Sequence, residues 1–386
     1  MKSILFLGGG QLGIPVLTWA REIGFQIIVN DRNPRSPGSA LADVQIHFDS
    51  TDARSIATWA AGHNDRYHIQ YCHCGSDFGL LTAYCVHEAL GLPHSPLVSI
   101  ISGLDKNLMK RSWEHSIRPH FPASTTIFSD QDCMQAGASL GWPLIIKPSS
   151  GSGSQGVSLA HNKEEAIQCF HEAARYAKTG TIIAEQFIDG THHDVNGLFW
   201  DGTFYPCGIG DRFFTPFPYC VPHHGYFPTS LDARQRRELY SLLEKGARSM
   251  GISWGPVKAD CVVDRNDACL VYEISPRFHG DVFTSNVMGF LHETNPLYQF
   301  LSWIFHGRSL TFVPFEDARE MTGGWKTVFT LSEKDRFLSR GDVGLFLKGT
   351  RERDVVRNNE DILGLAWAWA RSRDEINIIL KMVDHD

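Results

Sequence analysis

A short apolar strand that runs directly into a glycine turn constrains the fold of this chain most. Residues 3–7 have the pattern of a buried strand, and Gly8-Gly9-Gly10-Gln11-Leu12-Gly13 follows. A helical pattern then reaches about Gly24, and a second strand pattern covers residues 25–30. A strand that turns tightly into a helix and returns as a second strand is the βαβ unit of a parallel sheet. The pattern therefore predicts an α/β fold that begins with a small doubly wound unit.

Length and composition narrow the class of protein. A chain of 386 residues is long enough for two or three domains, and 42% hydrophobic residues suffice for packed cores. Lysine and arginine number 36 against 43 acidic residues, so the net charge of −7 argues against a dedicated nucleic-acid binder. No apolar stretch approaches the roughly 18 residues of a membrane span. The nine cysteines include no CxxC pair and fit reduced thiols. We therefore expect a cytoplasmic protein that binds neither nucleic acid nor membranes.

The glycine turn also leaves one functional alternative open. Gly8, Gly10 and Gly13 match the spacing GxGxxG, and Asp31 lies near the position of an acid that binds a nucleotide ribose. Together they would suit an NAD-dependent oxidoreductase. The same turn also occurs wherever a strand must turn tightly into a closely packed helix. The motif alone does not decide between these two interpretations.

A lysine followed by a serine- and glycine-rich loop is the first pattern that carries chemistry. Residues 143–148 form a strand pattern that contains Lys147, and the loop 149–156 separates it from the strand pattern 157–159. Such a loop can direct several backbone N–H groups to phosphate oxygens, because glycine has no Cβ in the way. The lysine adds a point charge for the same phosphates. The segment therefore predicts a phosphate-binding hairpin, distinct from the P-loop because the lysine precedes the glycines.

A second hairpin carries two carboxylates. The strand patterns 255–263 and 268–276 are joined by four residues typical of a turn. This spacing predicts that Asp260 lies opposite Val271 and that Glu273 shares its face. The arrangement depends on register, because a slip of one residue moves side chains to the other face.

The chemistry of this hairpin suits a metal ion. Lys258 is predicted to lie across from Glu273, and Ser275 and Arg277 follow on the second strand. Mg²⁺ prefers a few hard oxygen ligands and completes its shell with substrate phosphates. Asp260 and Glu273 are therefore candidate magnesium ligands.

The rest of the chain is less informative. Ten aromatic residues lie among the 29 residues from 199 to 227, as a core seam or a pocket wall, and we favour the core. Ser230 is predicted to begin a helix that ends at Met250. The last 80 residues show short strand patterns and one helix near 359–371, as in a small α+β cap.

Taken in order, these segments resemble the ATP-grasp superfamily, within its branch of biotin carboxylase, phosphoribosylaminoimidazole carboxylase and L-amino-acid ligases. The resemblance covers residues 1 to about 300 and rests on five segments, which are 8–13, Asp105-Lys106, 143–157, 185–190 and 260–277. It implies an ATP-grasp fold with three parts. They are a Rossmann-like N-terminal domain over 1–104, an ATP-grasp domain over 105–305 with a lid subdomain at about 124–190, and a C-terminal α+β subdomain over 306–386.

The resemblance also implies the roles of individual residues, with ATP and Mg²⁺, or alternatively Mn²⁺, as cofactors. The implied nucleotide-binding residues are Lys106, Lys147, Ser149, Ser150, Gly151, Ser152, Gly153, Ser154, Gly156, Glu185, Gln186, Phe187 and Ile188. The implied metal ligands are Asp260, Glu273 and Ser275, where Ser275 replaces the asparagine usual in the family. The implied catalytic residues are Arg277, Lys147 and Arg212.

The implied activity is that of an ATP-dependent carboxylate–amine ligase. A carboxylate would be activated as an acyl phosphate and coupled to an amine, with an amino acid as one substrate and with release of ADP and phosphate. Three alternatives stay open, namely a bicarbonate-using carboxylase of the same fold, the NAD-dependent oxidoreductase and a non-catalytic ATP-binding module. The expected partners are small-molecule substrates and a second copy of the chain in a homodimer.

Overall fold

The computed structural model describes residues 1–178, 180–217, 219–280, 282–288, 294–307 and 321–382. Its strands are β1 (Ser3–Leu7), β2 (Gln26–Asn30), β3 (Val44–Ile46), β4 (Ile69–Cys74), β5 (Ser124–Ile127), β6 (Leu144–Pro148), β7 (Ser158–Ala160), β8 (Ile182–Gln186), β9 (Gly190–Trp200), β10 (Thr203–Phe214), β11 (Pro222–Phe227), β12 (Gly255–Asp264), β13 (Cys269–Ser275), β14 (Thr322–Val328), β15 (Gly344–Leu347) and β16 (Gly364–Ala370). Its helices are α1 (Ile14–Ile23), α2 (Ala53–Tyr67), α3 (Leu80–Leu90), α4 (Leu97–Leu104), α5 (Lys106–Trp113), α6 (Asp130–Leu140), α7 (Lys163–Ala174), α8 (Ala233–Ser249), α9 (Pro296–His306), α10 (Leu331–Leu338) and α11 (Arg373–Leu380).

The N-terminal part is a four-stranded parallel sheet in the order β3-β2-β1-β4. The glycine turn joins β1 to α1, and Gly24 ends α1 with a φ of +113°. That backbone conformation is accessible to glycine at little cost, which explains why the helix stops there. The predicted βαβ start is confirmed.

A four-stranded antiparallel sheet follows, in the order β5-β8-β6-β7. Strands β6 and β7 form the predicted hairpin, with Leu144 paired to Ala160. Asn162 begins α7 by accepting a hydrogen bond from the Glu165 backbone N–H. We call this unit, residues 124–186, the lid sheet.

The largest sheet has eight strands in the order β13-β12-β9-β10-β11-β14-β16-β15. Helix α8 packs on it through a buried core to which Val195, Leu243 and Val257 belong. Strands β14 to β16 continue the same sheet. Backbone hydrogen bonds of this sheet therefore connect the C-terminal part to the central part. Residues 308–320 and 383–386 of the predicted C-terminal subdomain lie outside the described residues.

Two predictions of local structure were wrong. The segment near 359–371 is not a helix, because residues 364–370 form β16, in which glycine and alanine alternate with large apolar residues. That period of two belongs to a strand. Helix α8 begins at Ala233 rather than Ser230, because Asp232 accepts the N-cap hydrogen bond from Gln235.

Some aromatic residues of the segment 199–227 lie in the core, which we favoured, and others line a cavity. Phe199 and Phe227 are fully buried in the core, whereas Phe213 and Phe217 are exposed and border a large cavity. All nine cysteines are free thiols. Among the described residues, the helices are too short or too polar for any of them to cross a bilayer.

Candidate functional site

A cavity of about 1180 Å³ lies between the lid sheet and the face of the eight-stranded sheet. Most of the predicted site residues border it. They are Lys106, Lys147, the loop residues 150–154, Glu185, Gln186, Phe187, Ile188, Arg212, Asp260, Glu273 and Arg277. Ser149, Gly156 and Ser275 do not border this cavity in the described structure. A volume of this order accommodates a nucleotide and further small molecules.

The register of β12 and β13 differs from the prediction. Asp260 lies directly opposite Glu273, and Val271 pairs with Cys261 instead. The cause is an irregularity between Asp260 and Cys261, where the register shifts by one residue. Such a bulge inserts a residue on one strand and cannot be inferred from turn length. The two carboxylates therefore share a face, as expected, but are closer neighbours than predicted.

Three carboxylates form a row across neighbouring strands, since β9 places Asp194 opposite Asp260 on the side away from Glu273. Like charges in direct register repel one another, so this carboxylate row needs nearby cations. Arg212 donates to Asp194 through Nε at 3.0 Å and Nη2 at 2.6 Å. Lys258 Nζ lies 2.8 Å from Asp260 and 3.2 Å from Glu273. The row is therefore compensated by cations within hydrogen-bonding distance.

Two further groups border the carboxylate row. Lys106 Nζ lies 3.3 Å from Glu273 Oε2. His279 Nε2 lies 2.8 Å from Asp260 Oδ1 and 3.3 Å from Asp194 Oδ1. A carboxylate row with cations on both flanks is the kind of electrostatic setting in which phosphate and metal charges are balanced.

The surrounding charges decide the ionisation of the row. Burial raises the pKa of Asp260, but Lys258 and Arg212 outweigh it and hold the pKa well below its usual range. Burial likewise raises the pKa of Glu273, and Lys106 and Lys258 outweigh it, so this pKa is also lowered. Both carboxylates are therefore anionic at neutral pH.

A second buried cluster joins two lysines to one carboxylate. Lys147 Nζ lies 2.7 Å from Glu185 Oε2, and Lys110 Nζ lies 3.0 Å from Glu185 Oε1. Burial raises the pKa of Glu185, yet Lys110 and Lys147 outweigh it and lower the pKa from 4.5 to about 2. Burial lowers the pKa of Lys110. We call these three residues the lysine cluster.

We expect the lysine cluster to make the free energy of unfolding depend on pH in the acidic range. Because the pKa of Glu185 is lower in the folded protein, its contribution is fully present above about pH 4.5 and is lost as the pH falls toward about 2. Glu185→Gln should remove this contribution to the pH dependence of the free energy of unfolding. Urea unfolding at several pH values from pH 7 to pH 3 measures that dependence. Parallel curves for the variant and the unchanged protein would contradict the linkage.

The loop between β6 and β7, residues 149–156, which we call the lid loop, is anchored at both ends. Ser149 is buried; its N–H donates to Thr181 O at 3.0 Å, and its carbonyl accepts from Lys106 N–H at 2.8 Å. Gly156 has a φ of +69°, and a Cβ there would lie 3.1 Å from Ala173 Cα. Ser149 and Gly156 therefore hold the loop, and only residues between them border the cavity.

The loop tip contacts other parts of the chain. Ser154 Oγ donates to Cys220 O at 2.6 Å, and Asn359 N–H donates to Gly153 O at 3.2 Å. The hairpin thus lies closed over the cavity against the segment before β11 and the C-terminal part.

Part of the backbone of the segment predicted to bind adenine is hydrogen-bonded within the protein. The N–H of Gln186 donates to Ala123 O at 2.9 Å, and the N–H of Phe187 donates to Pro143 O at 3.2 Å. These two N–H groups serve the lid sheet and not a ligand. The Phe187 ring borders the cavity, as does Ile188. An apolar wall for a planar ring is what this segment supplies.

Arg277 is held by a carboxylate from the N-terminal part of the chain. Asp77 accepts from Arg277 Nε at 2.7 Å and from Nη2 at 2.6 Å, in a two-point geometry. Ser275 Oγ also donates to Asp77 Oδ1, at 2.9 Å. The hydroxyl predicted as a third metal ligand is therefore engaged by Asp77 and does not reach the cavity.

Replacing Asp77 by asparagine is expected to destabilise the protein by about 1–3 kcal/mol, because the buried Arg277 loses its charged partner. Asp342→Asn is the matched control, since Asp342 binds Arg340 in the same two-point manner but is largely exposed. That exposed pair should contribute much less, because solvent screens it. Urea denaturation measures both, and equal losses would contradict the assignment.

Asp31, the acid predicted to bind a nucleotide ribose, is engaged by backbone N–H groups. Asp31 Oδ2 accepts from Gly9 N–H at 2.8 Å and Oδ1 accepts from Asn33 N–H at 2.8 Å. Gly38 N–H donates to Gly9 O at 2.7 Å, and a Cβ on Gly9 would lie 2.3 Å from Ser36 Oγ. The acid predicted to bind ribose thus serves the backbone, and the arrangement does not support the oxidoreductase.

Several site residues were missed from the sequence. Lys110 was left without a role although it lies four residues after Lys106, a spacing that places both on one helix face. Asp194, Asp77 and His279 reach the site from other elements. No sequence pattern marks them, because their neighbours come from distant strands.

Sequence comparison gives one domain match and distant relatives. Residues 140–286 match the family described as ATP-grasp domain. The D-alanine–D-alanine ligase of Pseudomonas entomophila is 27% identical over 218 residues, which cover 52% of this chain and 62% of that ligase. The match thus spans under two thirds of that relative's length.

Structural comparison covers nearly the whole chain. The L-amino acid ligase from Bacillus licheniformis superposes with a TM-score of 0.78 at 17% identity, covering 98% of this chain and 95% of that one. The biotin carboxylase domain dimer of Hydrogenobacter thermophilus 2-oxoglutarate carboxylase, crystallised with MgADP, ADP and bicarbonate, gives 0.72 at 15% identity, over 99% and 90%. The chain therefore has an ATP-grasp fold and contains an ATP-grasp domain. The predicted resemblance is confirmed.

Proposed function

We propose that this protein is an ATP-dependent ligase that joins a carboxylate to an amine through an acyl phosphate. One observation carries the proposal: Lys147 and Glu185 of the lysine cluster, the lid loop and the carboxylate row border a single cavity. Phosphate-binding cations thus lie beside carboxylates suited to a divalent metal ion. The relatives named above, which include ligases for amino acids, support the same reaction class.

Magnesium fits the residues that are present. Asp260 and Glu273 offer hard oxygen ligands, and both lie within 3.2 Å of the single ammonium nitrogen of Lys258. The Lys258 ammonium occupies the point between these two oxygens, so Mg²⁺ would bind beside it or in its place. Ser275 is not part of this set. When bound, Mg²⁺, or Mn²⁺ in its place, would neutralise phosphate charge.

The protein's own residues would position the reactants. Lys106 and Lys147 would bind the ATP phosphates beneath the lid loop. Arg212 and Arg277 would neutralise charge as a substrate carboxylate attacks the γ-phosphate in line. The amine then displaces phosphate from the acyl phosphate, and ADP and phosphate leave. Catalysis rests on positioning and charge compensation, with no covalent protein intermediate.

An assay of ADP release tests this proposal. The protein is incubated with ATP, Mg²⁺ and pools of amino acids, and the active pool is then divided. We expect one pool to stimulate ADP and phosphate release in equal amounts, and EDTA to abolish it. The ligase proposal fails if no pool stimulates release. ATP binding without any turnover would instead indicate a non-catalytic ATP-binding module.

A bicarbonate-using carboxylase is the second candidate, favoured by the likeness to the biotin carboxylase domain crystallised with bicarbonate. The two candidate functions differ in whether the carbon of bicarbonate enters the product. A carboxylase would transfer ¹⁴C from labelled bicarbonate into an acid-stable or trapped product, and a ligase would not. The homodimer remains a prediction that analytical ultracentrifugation checks.

A further inference from the structure

A second cavity, of about 360 Å³, lies behind Arg277. It is lined by the glycine turn after β1, the end of β4 and the segment that follows β13. Gly75, Ser76, Arg277, His279 and Gly280 border both cavities, so the two cavities adjoin at these residues. The glycine turn has no role in the proposed reaction, yet Gly8 and Gly10 border this second cavity.

The wall of the second cavity is largely uncharged at neutral pH. Burial lowers the pKa of His73 to about 4 and the pKa of His87 to about 4, so both imidazoles are neutral. Burial raises the pKa of the Cys72 thiol well above its usual range. Arg277 is compensated by Asp77. A phosphate or carboxylate buried here would lack a dedicated counterion, which is costly.

Two polar atoms in this wall lack a partner. His73 Nδ1 and Thr284 Oγ1 are buried and make no hydrogen bond within the described part of the chain. Thr284 is only 2% exposed. Buried polar groups are nearly always hydrogen-bonded, so an unsatisfied pair on a cavity wall indicates a ligand with a polar group. Apolar neighbours such as Leu80, Trp254 and Leu297 supply the rest of the wall.

We propose that the second cavity binds the side chain of the amine substrate, and that this side chain is neutral, with an apolar body and one hydrogen-bonding group. The inference rests on the proposed ligase function. The carboxylate substrate must reach the γ-phosphate in the large cavity, so the space behind Arg277 is left to the amine. Tyrosine and tryptophan have the required character, whereas a phosphorylated amine does not.

Direct binding, without ATP, tests the proposal on the full chain. Isothermal titration calorimetry compares L-tyrosine and L-tryptophan with L-phenylalanine and O-phospho-L-tyrosine. We expect tyrosine to bind about fivefold more tightly than phenylalanine, because one hydrogen bond is gained, and phosphotyrosine to bind at least tenfold more weakly than tyrosine. At least one of the variants Thr284→Val and His73→Phe should reduce the affinity for tyrosine to that for phenylalanine, and unchanged affinity in both would contradict the proposal.

Thr82→Val is the matched control. Thr82 is equally buried, but its hydroxyl donates to Ser50 O at 2.8 Å, outside this cavity. It should leave tyrosine affinity unchanged. Tighter binding of phosphotyrosine, no binding of either neutral polar probe, or equal losses of affinity in the two valine variants would overturn the proposal. If the probes bind as expected but no amino acid stimulates ADP release, the assignment of the cavity stands and the proposed ligase function is wrong.

Discussion

Lys147→Ala is expected to reduce substrate-stimulated ADP release by about 100- to 1000-fold, the loss typical when one preorganised charge on the transition state is removed. The Lys147 ammonium is buried at the cavity wall, beside the lid loop that we expect to cover the phosphates. Its removal takes one of the neighbouring cations away from the transferring phosphoryl group. Steady-state measurement of kcat and of KM for ATP checks this expectation.

Lys110→Ala is the control that separates chemistry from folding. Lys110 binds the same carboxylate, Glu185, at 3.0 Å, but its ammonium does not border the cavity in the described structure. Both variants should lose similar stability, since each removes one of two cations from Glu185. Only Lys147→Ala should lose most of its turnover. Equal losses of turnover would show that the lysine cluster acts through structure alone.

The sequence predicted the parts of the site that lie within one local segment. Lys147 and the lid loop belong to a single hairpin, and Asp260 and Glu273 belong to another. In both cases, the chemistry and the turn are read from contiguous residues. The glycine turn and α1 were predicted in the same way, because local residue types indicate where that helix ends.

What the sequence could not predict depends on distant contacts. Asp194 joins the carboxylate row only because β9 lies beside β12, and Asp77 reaches Arg277 from the N-terminal sheet. The bulge after Asp260 is a tertiary adjustment that turn length does not encode. Ser275 looked like a metal ligand from its position in the motif, and its hydroxyl is instead engaged by Asp77.

Asp260→Ala is expected to cost about 3–5 kcal/mol of folding stability, because removal of one partner from a buried charge cluster leaves other charges uncompensated. Lys258 would keep only Glu273, and the contact of His279 at 2.8 Å would be lost. Asp260→Asn retains the shape and should cost less. Both should weaken magnesium-dependent turnover, because the proposed metal site loses a carboxylate ligand. Chemical denaturation measures stability, and titration of activity with Mg²⁺ measures metal affinity.

Asp194→Asn distinguishes a metal ligand from a structural carboxylate. Asp194 lies beside Asp260 in register, is also buried and contacts Arg212 and His279. Its carboxylate lies within 4.8 Å of ligand atoms of Asp260 and His279, yet it is not among the predicted metal ligands. Both asparagine variants should therefore lose comparable stability. The Mg²⁺ concentration for half-maximal activity should rise at least tenfold only for Asp260→Asn, since the metal loses a carboxylate there. An unchanged magnesium dependence in Asp260→Asn would remove Asp260 from the metal site and leave it a structural partner of Lys258.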